Sequence, residues 1–270
     1  MIRVIAVDLD ETLLAPDKSI PAENKAALQL AQERGIRVVI ATARGWGRTE
    51  AFYKELELQT PVIVSSGSRV VDGRTGEDLW MHRMPMDFAR DVCAFCDEQD
   101  ISIRVYVGQE VWNNRDTDPL LNAPVAEDRI VRNMAAKLPE APYQIYTKGE
   151  RNVALLRERF GKQGDGFLLN ITKYADGIPE VMILNPLGTK GEALRALCEQ
   201  WGVPREQVMA AGDNFNDLSM IEWAGFGVAM GWAVPEVRAC ADYVTTPDNQ
   251  AGVAEAIYYL LEDRQEPSAS

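Results

Sequence analysis

The chain has 270 residues, of which 46% are hydrophobic and 26% charged. That excludes a disordered chain and gives length enough for two packed units, or one unit with a large insertion. A formal net charge of -13 repels polyanions and anionic membrane surfaces, so nucleic acid and membrane are excluded as partners, and any anion site needs a metal ion or a local basic cluster.

Met1 runs directly into the strand-like Ile2 to Val7. No basic region leads into a long apolar stretch and no apolar run reaches about 18 residues, which predicts a cytoplasmic protein, neither exported nor embedded. After that first run come a helix through 22–35, a strand at 36–42, a helix near 48–58 and a strand at 61–67. The strand runs are rich in Val and Ile without strict alternation, as expected for parallel strands covered on both faces. Gly35 is placed to cap the first helix.

Turn signals at Asp72-Gly73 and Thr75-Gly76, followed by 78–85, predict a hairpin leading out of the first sheet. Beyond it the pattern is that of a small α+β unit. It reads as a helix at 86–99, strands at 101–108 and 110–114, a loop rich in Asp, Asn and Pro, a strand at 143–149, a helix at 152–161, and strands at 167–174 and 179–185. From Thr189 the alternation resumes: helix 190–202, strand 207–213, helix 217–225, strand 225–231, helix 234–241, strand 242–246, helix 252–263 and a frayed tail at 265–270. The prediction is an α/β fold, a doubly wound and mostly parallel Rossmann-like sheet from residues 1–82 and 188–270, interrupted by an α+β domain at 83–187.

Asp8-Leu9-Asp10-Glu11-Thr12 follows the first strand run. A period of two puts Asp8 and Asp10 on one side at the strand's carboxyl end, where open α/β sheets bind ligands. Two close carboxylates repel unless a cation or a shared proton intervenes, so the pair points to a metal or acid/base site, against the plainer reading of a capped turn. Gly212-Asp213-Asn214-Phe215-Asn216-Asp217 ends a second buried strand, and Asp213 supplies the hard oxygen ligand that Mg²⁺ takes together with Asp8. Its plainer reading is a polar loop with a helix cap at Asp217. Thr42 ends a third strand, where it is either a strand-ending threonine with no ligand or one whose hydroxyl and following amides meet phosphate oxygens. Lys190 in a helix's first turn opposes the helix dipole, so it is either a solvated surface lysine or the partner of an anion.

These four pieces in this order resemble the haloacid dehalogenase superfamily, and the insertion resembles the cap of its Cof-type sugar and metabolite phosphatases. The resemblance implies a Mg²⁺-dependent phosphatase with Asp8 as nucleophile and Asp10 as general acid/base. It implies metal ligation by Asp8, Asp213 and the carbonyl of Asp10, with Asp217 as outer ligand or orienter. It also implies phosphate contacts from the Leu9 and Ala43 amides, Thr42, Lys190 and Asn216. Related sequences often read Asn-Gly-Ala where this chain has Ser66-Gly67-Ser68, which bears on contacts near the hinge and not on the chemistry. The implied partner is a small phosphorylated substrate, and the expected state is a monomer or homodimer. A phosphomutase, or a silent binding module that keeps the fold, are the alternatives.

The remaining signals read as structural. Gly45-Trp46-Gly47-Arg48-Thr49-Glu50 lacks the last glycine of a dinucleotide fingerprint, and Cys93 and Cys96 lie in a helical pattern with apolar neighbours. His82 is the only histidine and no G-x-S-x-G elbow accompanies it. Trp46, Trp80 and Trp112 are read as buried, with a sugar-binding surface as the alternative.

Overall fold

A computed structural model describes residues 1–116, 121, 128–161, 166–173, 177–247 and 250–262. Most of the Asp, Asn and Pro-rich loop, Tyr174 at the end of its expected strand, and the 265–270 tail lie outside the described residues. The chain divides into two compact units, 1–80 with 189–270, and 81–188.

The first unit opens with β1 (Val4–Val7), α1 (Ala22–Glu33), β2 (Arg37–Ile40), α2 (Glu50–Glu55), β3 (Val62–Val64), β4 (Arg69–Val71) and β5 (Asp78–Met81). Every residue of β1 is buried, the signature of a strand covered on both faces. Gly35 takes φ 77 just past α1, a left-handed C-cap that glycine adopts without a Cβ penalty. Two expectations change here. The second helix is shorter than its period suggested: Trp46–Arg48 form a separate tight turn before it, and Glu57 takes φ 54 just past its end. β3 joins the parallel sheet only through the single bridge Ala41 to Ile63, because it pairs antiparallel with β4 and closes a three-stranded β3-β4-β5 ribbon.

The second unit comprises α3 (Met86–Glu98), β6 (Arg104–Val107), β7 (Glu110–Asn113), β8 (Arg129–Ile130), α4 (Met134–Lys137), β9 (Gln144–Lys148), α5 (Glu150–Phe160), β10 (Leu168–Lys173) and β11 (Pro179–Leu184). Its sheet order is β10-β11-β9-β6-β7-β8. β8 and α4 were not foreseen, since elements of two and four residues are too short to show a period. Cys93 and Cys96 are fully buried among Val92, Ile101 and Met134, and burial pushes the Cys93 thiol up to about 12 and that of Cys96 higher still. They are packing residues, since a buried thiol is a poor nucleophile. Trp112 is buried with its indole N–H donating to Glu110, while Trp46 and Trp80 pack on the core of the first unit. The aromatic residues therefore serve packing. His82 lies half-buried between β5 and α3.

The first unit resumes with α6 (Lys190–Gln200), β12 (Val208–Gly212), α7 (Leu218–Trp223), β13 (Phe226–Ala229), α8 (Pro235–Cys240), β14 (Tyr243–Val244) and α9 (Gly252–Glu262). The main sheet runs β14-β13-β12-β1-β2 with every pair parallel. The chain winds outward from β1 in one direction and from β12 in the other, and right-handed crossovers then place α1 with α9 on one face and α6 with α7 on the opposite one. β1 and β12 are neighbours, Val7 beside Ala211, so the crevice beyond their carboxyl ends is the topological switch point. Among the described residues no helix is long and apolar enough to cross a membrane.

Leu28 is fully buried where α1 meets the core and α9. Leu28→Ala is expected to lower the unfolding free energy by about 2–5 kcal/mol in urea titration, with an unchanged far-ultraviolet dichroism spectrum.

Candidate active site

β1 stops at Val7, and residues Leu9–Leu13 curl into one wide helical turn in which Leu13 N donates to Asp8 O (3.2 Å) and Leu14 N to Leu9 O (2.9 Å). Glu11 takes φ 59 within it, and its carbonyl accepts from Trp232 Nε1 (2.7 Å). This turn replaces the strand geometry on which the period-two expectation for Asp8 and Asp10 rests; Asp8 accepts from Lys190, and Asp10 accepts from Arg44 and Lys18.

Lys190 is the first residue of α6, yet it is no surface lysine: its side chain is 0% exposed. Its Nζ donates to Asp8 Oδ1 (2.6 Å) and to Asp217 Oδ1 (2.5 Å). The anions that offset its position against the helix dipole are thus the protein's own carboxylates. Burial depresses the ammonium, and the two aspartates more than reverse that, so Lys190 stays charged.

Asp217 is equally buried and has both oxygens engaged, because Oδ2 accepts the amides of Asp213 (3.0 Å) and Asn214 (3.1 Å). It closes a capping box with Asn214. Gly212 makes room for this: a Cβ there would stand 2.4 Å from Asp217 Cβ. Asp217 is an organiser of the loop after β12. Asp213 receives a hydrogen bond from Thr12 Oγ1 (2.8 Å), the last residue of the Asp-x-Asp-x-Thr run.

Carboxylate oxygens of Asp8, Asp213 and Asp217 lie within 4.8 Å of one another. Three buried carboxylates face one ammonium, and two of them, Asp8 and Asp213, are raised. Burial raises Asp8 to about 7; Lys190 pulls against that and Asp217 adds to it. Asp213 is raised well above 3.8 by burial, then by Asp217 and Asp8. Close hard-oxygen donors with excess negative charge fit Mg²⁺, which would remove that protonation by replacing protons with a divalent charge. Beside this cluster Asn216 Oδ1 is buried with no hydrogen-bond partner among the described residues.

The other residues read from the sequence take the following places. Leu9 is buried immediately after Asp8, and Ala43 is half-buried after Thr42. Thr42 is buried past β2, with its amide donating to Ile63 O (2.9 Å) and its Oγ1 accepting from Arg44 N (3.1 Å). Asp10, 31% exposed, stays out of the carboxylate cluster as a side chain. Burial would raise it, but bonds from Arg44 and Lys18 outweigh that and hold it at about 2. Ser66 has φ 59, a left-handed conformation that Asn tolerates better than Ser. Beside it Gly67 at φ 102 lets Thr189 approach, since a Cβ would meet the Thr189 carbonyl at 2.2 Å. That approach places Lys190 against the strand ends.

Thr12, Arg44 and Lys18 were missed by sequence reasoning. Thr12 stood in the motif already singled out, while the long-range pairing of Arg44 with Asp10 left no local signal.

Comparison with known proteins agrees with this architecture. Residues 5–257 match the haloacid dehalogenase-like hydrolase family. The pyridoxal phosphate phosphatase YbhA of Escherichia coli is 31% identical, covering 96% of this chain and 98% of its own. The 5-amino-6-(5-phospho-D-ribitylamino)uracil phosphatase YcsE of Bacillus subtilis is 30% identical, covering 96% of each. A crystal structure of a haloacid dehalogenase-like hydrolase from Bacteroides thetaiotaomicron superposes with a TM-score of 0.78 at 27% identity, over 96% of this chain and 100% of that one. The chain belongs to the haloacid dehalogenase-like hydrolases, as an enzyme of their phosphatase kind.

Proposed function

We propose that the chain is a cytoplasmic Mg²⁺-dependent phosphatase of small phosphorylated metabolites, sugar phosphates foremost, acting through an aspartyl-phosphate on Asp8. The observation that carries this reading is the closure of Asp8, Asp213 and Asp217 around the buried Lys190. A non-enzymatic module has no need for mutually repelling carboxylates held out of water. The relatives named above act on phosphate monoesters with unlike organic parts, which supports the substrate class and leaves its member to the inserted 81–188 unit, assigned here to substrate selection.

In this reading Asp8, Asp213 and the backbone carbonyl of Asp10 would hold Mg²⁺, which would supply charge neutralisation for an anionic nucleophile meeting an anionic substrate. Asp8 attacks phosphorus. Asp10, a carboxylate in the free site, takes up a proton brought in by the phosphate monoester monoanion and passes it to the departing oxygen as the ester P–O bond breaks, and the alcohol leaves. Asp10, now a carboxylate, takes a proton from the water that attacks the phosphorylated Asp8, and inorganic phosphate leaves as the P–O bond to Asp8 breaks. Lys190, Thr42, the amides of Leu9 and Ala43, and Asn216 meet the phosphate oxygens. Asp217 keeps Lys190 and the 213–214 backbone in place.

Assay with an aryl phosphate tests this directly. Phosphate release is expected to vanish on adding EDTA, to return with excess Mg²⁺, and to be undetectable in Asp8→Asn. Turnover surviving either change would exclude the mechanism, and an isomerised sugar phosphate without free phosphate would identify a mutase.

A pH dependence follows from the Asp8 shift. Its carboxyl has a raised folded value, about 7 against 3.8, so without metal the folded protein holds a proton there that the unfolded chain has released. That contribution to stability is complete below about 4 and is lost as pH rises through about 7. Magnesium displaces the proton, so its stabilisation grows with pH. Thermal unfolding with EDTA or with saturating Mg²⁺ is expected to show a larger difference at about pH 8 than at about pH 5. An equal difference at both would contradict the assignment of these carboxylates to the cation.

A further inference from the structure

Arg44 grips Asp10 with a two-pronged fork, Nε to Oδ2 (2.7 Å) and Nη2 to Oδ1 (2.7 Å), and Lys18 Nζ adds a contact to Oδ1 (2.8 Å). The two cations differ in burial: Arg44 is 14% exposed and Lys18 53%. Solvent screens the lysine pair, so the arginine sets the geometry. A guanidinium fork fixes both the distance and the plane of a carboxylate, which a point charge does not.

Arg44 is itself anchored. Its amide donates to Thr42 Oγ1 (3.1 Å), its carbonyl accepts from Ser65 N (2.8 Å), and its guanidinium lies 5.1 Å from the centre of the Phe52 ring. A continuous path therefore runs from Thr42 through Arg44 to Asp10. Asp10 needs such support, because it sits on a turn beside the left-handed Glu11 with its side chain 31% exposed. Packing alone does not hold its rotamer.

We propose that Arg44 is the positioning residue of the proton-transferring Asp10, aiming its carboxyl at the ester oxygen in the first step and at the attacking water in the second. The proposal rests on the acid/base reading of Asp10 given above. Arg44 exchanges no proton in either step: Asp10, a carboxylate in the free site, receives a proton from the bound phosphate monoester monoanion and passes it to the ester oxygen as the P–O bond breaks, and takes one from water as phosphate leaves Asp8. Misplacing a reacting group by about 1 Å can cost on the order of 10²-fold in rate.

The test compares kcat/KM, which reports steps through phosphorylation of Asp8, for an alkyl phosphate and for 2,4-dinitrophenyl phosphate. The alkyl alcohol needs a proton in order to leave; the dinitrophenolate does not. Arg44→Ala is expected to lower kcat/KM by roughly 10- to 100-fold for the alkyl ester and by less than about threefold for the aryl ester. The aryl rate also serves as the check that the variant is folded. Arg44→Lys is expected to recover part of the loss. In an Asp10→Asn background the Arg44→Ala effect on the alkyl ester is expected to shrink to under about threefold. Equal losses on both esters, no loss on either, or an undiminished effect in the Asp10→Asn background would overturn the role. If Asp10→Asn alone spares the alkyl ester, the acid/base reading fails and the proposal falls with it, a result separable from failure at Arg44.

Discussion

The structure turns on one buried cation. Lys190 sits at the start of α6 with no exposed side-chain surface, bonded to Asp8 and Asp217. A lone ammonium in that position would be driven to neutrality by burial and opposed by the helix dipole. The two aspartates keep it charged, and it keeps them close. With Asp213 the cluster is net negative; burial above all, and then the charge of Asp217, raises Asp8 and Asp213 above ordinary carboxylate values. The electrostatic excess that burdens the metal-free site is the feature that suits it to a divalent cation.

Everything around this cluster serves to bring distant chain segments to it. Asp8 and Asp213 follow β1 and β12, adjacent strands at the point where the winding of the sheet reverses. Lys190 follows residues 81–188 in the chain, and its approach depends on Gly67, where any Cβ would collide with Thr189. Gly212 plays the matching part for Asp217. Asp217 spends both oxygens on Lys190 and on backbone amides, so its contribution is to order the loop that carries Asp213 and Asn216.

Much of this was legible in the sequence for a physical reason. Buried parallel strands announce themselves as short Val and Ile runs, and polar motifs at their carboxyl ends have few purposes, so Asp8, Thr42 and Asp213 stood out by position. Three things were not legible. The turn after Val7 breaks the alternation that placed Asp8 and Asp10 on one side, because its wide hydrogen bonding has no sequence period. The pairing of Arg44 with Asp10 spans 34 residues and leaves no local trace. β8 and α4 are shorter than any repeat that could reveal them. Lys190 shows the opposite case: its unfavourable place at a helix start already implied an anion, and two carboxylates are there.

The central claim is that Asp8, held between Lys190 and a bound cation, carries the phosphoryl group. Its most direct measurement is acid quenching during turnover of a ³²P-labelled substrate with Mg²⁺, followed by peptide mapping of the labelled protein. The account predicts a hydroxylamine-labile acyl phosphate on the peptide containing Asp8, absent when Mg²⁺ is withheld. Label on any other residue, or steady phosphate release with no labelled protein at any quench time, would contradict it.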